Sequence, residues 1–225
     1  MKDFQAFEFD PVLCGQELDK FRNLLDTKAE LSEQGELLPL FRESENFTAL
    51  IGNLHPGITK VDKIAQEYDL FGDFVCDFAV GDSNRNAYCF IELENAKRNS
   101  IFKKGTRATS EWGYRFEHGF SQVIDWFYKL DDEEKSYAFE DRFGARSIDS
   151  MSMLIIGRSE FLASSEQRRL RWRERHVIVH SQQVRCLTYD ELFQEFQFML
   201  SIYPIALNAE AETGESQSET NKETS

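Results

Sequence analysis

No apolar run in this sequence is long enough to span a membrane. The longest, such as MLIIG at 153–157, are strand-sized, whereas a spanning helix needs about 18 or more residues. The N-terminal MKDFQAFEFD is acidic and has no apolar h-region, so no secretory signal is expected. Cysteine is scarce: Cys14, Cys76, Cys89 and Cys186 show no Cys-x-x-Cys spacing. They read as reduced, buried thiols of a cytoplasmic protein, not as a metal or disulfide framework. Histidine is equally sparse. The closest pair, His176 and His180, lies in HVIVH, which reads as a strand, and i,i+4 residues on a strand stand ~13 Å apart, too far to share an ion. Positive charge is also short, with a formal net charge of −14, which by itself argues against nucleic acid. No internal repeat is present.

What the chain does have is ample core material, with 41% hydrophobic residues and 20 phenylalanines in 225 positions. That suits one medium domain or one domain with appendages. The charge is also unevenly spread. Residues 97–107, KRNSIFKKGTR, carry five basic residues and no acid, and 168–175, RRLRWRER, carry five arginines and one glutamate. The last twenty residues hold five glutamates and one lysine. The net charge thus averages an acidic N-terminal third and an acidic tail with two basic patches. Each patch alone could equally be a solvated face.

Apolar positions 18, 21, 24, 25 and 31 predict a helix over 17–32, and a second helix is expected at 43–53. HPGITK at 55–60 is a turn before a possible strand. FGDFVCDFAVGDSNRNAYCFIELE at 71–94 is the clearest hairpin signal, two apolar runs around a turn-rich GDSNRN. A basic loop follows. Positions 112, 116, 120, 123, 127 and 130 then form the stripe of a long amphipathic helix over 109–130. Residues 131–150 read as a polar connection, 151–157 as a buried strand and 160–174 as an arginine-rich helix. HVIVH and VRCLT read as strands, and YDELFQEFQFMLSIY as a closing helix ended by Pro204. The polar tail 204–225 is expected to be disordered. The order predicts an α/β fold, a mixed central sheet flanked by helices.

Strand alternation puts Tyr88, Phe90, Glu92 and Glu94 on one face, with Cys89, Ile91 and Leu93 on the other. On the preceding strand Asp77 is the one acid inside an apolar run. A suitable register brings it opposite Glu92 and Glu94 and leaves Cys76 and Cys89 together on the back face. Three carboxylates on a semi-apolar surface repel and lose hydration, which costs several kcal/mol without compensation. Mg²⁺ or Mn²⁺, with hard oxygen ligands, compensates well. The plainer alternative is a solvated sheet face.

As an ordered set, Asp77, then FIELE, then FSQVIDWF in a following helix resembles the PD-(D/E)xK nuclease superfamily. More closely, DFVCDF, FIELENAKRNSIFKKG, FEHGFSQVIDW, MLIIGR and CLTYDELF resemble the Shedu anti-phage defence nuclease family over roughly 70–200. The resemblance implies a restriction-endonuclease-like domain over 41–203 behind an N-terminal helical segment, 1–40. It implies a metal-dependent DNA endonuclease or nickase, or a degenerate DNA-binding module on the same scaffold, that assembles as an oligomer. Asp77 and Glu92 would be metal ligands and Gln122 the helix residue of the site. The departure lies at Glu94, which stands where the pattern has lysine. Either Lys97, Lys103 or Lys104 supplies the cation, or Glu94 itself binds metal, or the site does not cut. His118 is a further base candidate. Arg98, Lys103, Lys104, Arg107, Arg168, Arg169 and Arg171 are candidates for backbone phosphate contact, with shape rather than sequence read.

Overall fold

A computed structural model describes residues 3–106 and 108–202. The elements run β1 (Gln5–Ala6), α1 (Pro11–Thr27), a π-helical turn (Glu33–Leu37), α2 (Leu38–Glu43), α3 (Glu45–Leu50), a 3-10 turn (Ile51–Leu54), β2 (Lys63–Leu70), β3 (Phe74–Asp82) and β4 (Ala87–Leu93). Then come β5 (Phe102–Lys103), β6 (Glu111–Trp112), α4 (Tyr114–Glu133), α5 (Tyr137–Phe143), β7 (Asp149–Ile155), a 3-10 turn (Ser159–Phe161), α6 (Ser164–His176), β8 (Ile178–Val179) and β9 (Gln182–Leu187). A last helix, α7, covers 189–202.

Local chemistry sets several boundaries. Asp10 caps α1 by accepting from the N–H groups of Val12 and Leu13 at 2.8 and 3.0 Å, and Pro11 suits the first turn, whose N–H has no helical partner. α4 starts at Tyr114, later than the pattern predicts, because residues 111–112 pair with 102–103 as β5–β6. Gly113 is needed there: a Cβ would lie 2.5 Å from the Ser100 carbonyl oxygen. The polar connection contains α5, capped by the Ser136 hydroxyl on the Phe139 N–H at 3.0 Å and ended by left-handed Gly144. Its Phe139 and Phe143 are buried. The helix expected at 43–53 is α3 with the 3-10 turn that follows it, and Ser44 separates it from α2, which occupies the stretch before it. Of HVIVH, only Ile178 and Val179 are strand; His176 closes α6 and His180 lies in the turn to β9.

Among the described residues one sheet has seven strands in the order β1-β2-β3-β4-β7-β9-β8. β1 to β4 are antiparallel neighbours, β4–β7 and β7–β9 are parallel, and β8–β9 is a short hairpin. Parallel neighbours need crossovers. The one from β4 to β7 carries α4 and α5, and the one from β7 to β9 carries α6. One face packs Phe78, Cys89, Ile91 and Ile155 against Phe21, Phe41 and Phe47 of α1–α3 and Phe196 of α7. The other packs Ala79, Phe90, Leu154 and Cys186 against Phe116, Phe120, Val123 and Trp126 of α4. This is the restriction-endonuclease-like α/β arrangement of a mixed sheet flanked by helices. α1 shares the first core with the sheet.

One expectation about the faces needs correction. Cys89 lies on the α1 face, but Cys76 lies on the α4 face. The register shows why. Gln66 pairs with Phe78 and Tyr68 with Cys76, and the register skips one residue on each strand between them, Glu67, at φ 49°, and Asp77. Strict alternation is lost at this step, so Cys76 follows Tyr68 to the other side. All four cysteines are free and buried.

Candidate active site

The break at Asp77 frees its side chain for β4. β3–β4 pairing stops at Phe78–Ile91, and the next backbone donor, Leu93 N–H, is accepted by Asp77 Oδ2 at 2.8 Å. The carboxylate thus replaces a ladder bond and sits across from Glu92. Glu92 follows Phe90 toward α4, where Gln122 hydrogen-bonds it. Glu94 lies just past the strand end and is 3% exposed. Its N–H donates to Ile155 O at 2.9 Å, and its own carbonyl accepts from the buried Tyr189 hydroxyl at 2.7 Å. Gly119 lets α4 approach: a Cβ there would stand 2.7 Å from Leu154 Cδ1 and 3.3 Å from Glu94 Cγ.

The structure therefore gathers Asp77, Glu92, Glu94 and Gln122 at one end of the central strand, and it adds two groups that strand alternation does not reveal. The first is Glu33. Leu31 and Ala96 exchange two backbone hydrogen bonds, 3.2 and 2.9 Å, which dock the π-helical turn beside the end of β4. The second is Arg115, whose Nη1 lies 3.4 Å from Glu94 Oε2 and 3.5 Å from Glu33 Oε2. His118 Nδ1 is 3.9 Å from Glu94 Oε1. Positions 115, 118 and 122 form a polar stripe at helical spacing beside the core stripe, a signal present in the sequence.

The electrostatics follow from this crowding. Burial, then the charges of Glu33 and Glu67, push the Asp77 carboxyl up, against the Leu93 N–H and Arg42. Burial also raises Glu92, helped by Asp77, Glu94 and Glu33, with the Gln122 hydrogen bond opposing. Glu94 is pushed up to about 7, mainly by burial, with Arg115 opposing. Nearby Glu36 shows the contrast. Hydrogen bonds from Ser32 and Lys28 hold it down to about 2. The site's donors are hard carboxylate oxygens crowded together in a buried place, the chemistry that suits Mg²⁺ or Mn²⁺. Among the described residues no three acids, imidazoles or thiols close into a ready-made cage.

Lys97 does not join this group. Its N–H donates to Ser100 Oγ at 2.8 Å in the turn that follows, and its side chain is exposed, with no ion pair among the described residues. The basic residues divide into two groups. Arg98, Lys103, Lys104 and Arg169 line a groove of about 800 Å³ between the 98–110 excursion and the start of α6. Arg98 lies over the Phe161 ring at 4.7 Å, Arg169 over Phe102 at 4.9 Å, and Lys103 is 3.7 Å from Glu111. Arg168 is exposed on α6. Arg171 is committed to the fold: it donates to both oxygens of Glu191, at 2.7 and 2.6 Å, and to the Cys186 carbonyl at 2.7 Å. Arg107 and the tail 204–225 lie outside the described residues. No helix among those residues is long and apolar enough to cross a membrane.

No curated protein matches the chain. The model of the Shedu protein SduA C-terminal family matches residues 16–193, a span that holds every carboxylate of the site, all of α4 and both basic patches. The chain belongs to the Shedu SduA C-terminal family and is thereby a component of an anti-phage defence system.

Proposed function

We propose that the chain is a metal-dependent DNA endonuclease or nickase that hydrolyses phosphodiester bonds. The observation that supports this most is the convergence of Asp77, Glu92 and Glu94 with Gln122 at the end of β4. In this reading Asp77 and Glu92 hold Mg²⁺ or Mn²⁺, and Glu94 adds a third carboxylate at the rim. An open carboxylate set agrees with the habit of Mg²⁺ to take one or two carboxylates and keep several waters. When bound, the ion supplies Lewis-acid polarisation of the phosphoryl oxygens and acidifies water. Gln122 fixes the orientation of Glu92, and Asp77 is fixed by the Leu93 N–H. Phosphates of the bound DNA run along the groove of Arg98, Lys103, Lys104 and Arg169, with Arg168 and Arg107 as further contacts.

Supercoiled plasmid incubated with the protein and Mg²⁺ or Mn²⁺ is expected to become nicked or linear. Asp77→Asn and Glu92→Ala should each slow this by about 10²-fold or more, the scale of losing a group that stabilises the transition state. Binding without cutting, under every divalent ion tried, overturns the enzyme. It favours a second reading, a DNA-binding or regulatory module, for which Glu94 at the lysine position is the specific argument.

A further inference from the structure

A carboxylate cluster repels a phosphodiester, so a phosphate-cutting site needs a cation beside its metal ligands. β4 supplies none: Glu94 occupies the expected lysine position, and Lys97 beyond it is exposed and in no ion pair among the described residues. Arg42 acts on Asp77 only from its ion pair with Glu67; among the described residues the arginine in ion-pair contact with a cluster carboxylate is Arg115, in the first turn of α4.

Arg115 is held loosely and by one corner. Nη1 alone serves both Glu94 and Glu33, at 3.4 and 3.5 Å, distances at the outer limit of a hydrogen bond. The structural arginines of this protein behave differently. Arg173 grips Glu117 through two nitrogens at 2.7 and 2.9 Å, and Arg171 grips Glu191 at 2.7 and 2.6 Å. Among the described residues Arg115 Nε and Nη2 have no hydrogen-bond partner. The side chain is 50% exposed above a Glu94 that is 3% exposed. A guanidinium anchored at one nitrogen, with the rest of its fork open to solvent at the cluster's mouth, matches the paired oxygens of a phosphate.

We propose that Arg115 is the catalytic cation of this site. It contacts the reacting phosphate through Nε and Nη2, and Glu94 and Glu33 act as its seat. The role of the strand lysine has thus passed to the helix, and Glu94 stands at the vacated position to hold the replacement. This inference rests on the nuclease reading above.

The test compares wild type, Arg115→Lys, Arg115→Ala, and the doubles Arg115→Ala/Glu94→Gln and Arg115→Ala/Glu94→Lys. Arg115→Ala should lower kcat about 10²-fold or more with little change in KM, and added guanidinium should restore part of the rate. Arg115→Ala/Glu94→Lys, which returns a cation to the strand, should recover cutting. Arg115→Ala/Glu94→Gln removes both charges, leaves no unpaired carboxylate at 94, and should remain folded and inactive. Recovery of wild-type cutting in that double overturns the proposal, because Arg115 would then only neutralise Glu94. A binding readout runs without divalent ion, by anisotropy of a labelled duplex. Arg115→Ala should reduce the slope of log K against log salt by about 0.9, the value of one neutralised phosphate, while Arg115→Lys keeps it. An unchanged slope, or undiminished cutting by Arg115→Ala, overturns the arginine and leaves the nuclease standing. A wild type that cuts nothing ends both readings.

Discussion

At the scale of single residues, the three carboxylates act against the fold at neutral pH. Asp77, Glu92 and Glu94 all have folded-state pKa values above their unfolded ones. Between those two values the folded chain binds more protons, so stability falls as pH rises. For Glu94 the loss begins near the ordinary carboxylate range and is complete above about 7. Glu36 has the opposite sign, and its contribution is lost only as pH drops toward about 2, so the two windows do not overlap. In EDTA the Tm is expected to drop by about 5 °C or more from pH 5 to pH 8. Glu92→Gln should flatten that slope, and Mg²⁺ or Mn²⁺ should raise Tm at pH 8 in wild type but not in Asp77→Asn. A Tm independent of pH over this range counts against the buried cluster. The grouping of Asp77, Glu92 and Glu94 was legible because strand alternation is a short-range rule, whereas Gln122 came only with the family resemblance, since helical spacing alone leaves it a surface amide. Glu33 was not legible, because it reaches the site through a pairing between residues 31 and 96 that no local pattern encodes.

At the scale of elements, the separation between α4 and the sheet is set at Gly119. Alanine there gains about 0.5–1 kcal/mol of helix propensity but drives a methyl to 2.7 Å from Leu154 Cδ1, and overpacking costs about 1–3 kcal/mol. Gly119→Ala is expected to lower Tm by a few degrees and to impair cutting more than stability, since it lifts Arg115 and Gln122 from β4. Gly15→Ala is the control. Nothing lies within 4 Å of its added Cβ in α1, so it should stabilise by about 0.5–1 kcal/mol in urea unfolding. The long helix and the β3–β4 hairpin were readable because their apolar stripes are long and regular. α5 was hidden because its two buried phenylalanines stand among many charged residues. The inversion of faces at Glu67 was hidden because it depends on one backbone angle, and it moved Cys76 to the opposite core.

At the scale of the whole molecule, a formal charge of −14 coexists with a concentrated basic groove, and the net value says little about which surface meets a polyanion. Lys103→Ala/Lys104→Ala should weaken duplex binding at every sequence tested and lower the salt slope by about 0.9 for each phosphate that is no longer neutralised. Arg171→Ala belongs to another class. It strips partners from Glu174, Glu191 and the Cys186 carbonyl, so it should cost about 1–3 kcal/mol of stability and leave the salt slope of the folded protein unchanged. Both basic patches stand out in the sequence, but the internal use of Arg171 and Arg173 depends on acids brought near only by folding. The two hydrogen bonds between Leu31 and Ala96 carry a last consequence. The Ala96 amide lies outside the strands, in a stretch where amide protons normally exchange quickly, yet it is protected for as long as residues 31–37 remain docked. Its exchange rate is therefore a clock for undocking of the N-terminal segment, and each opening it records is a moment when Glu33 has left the site.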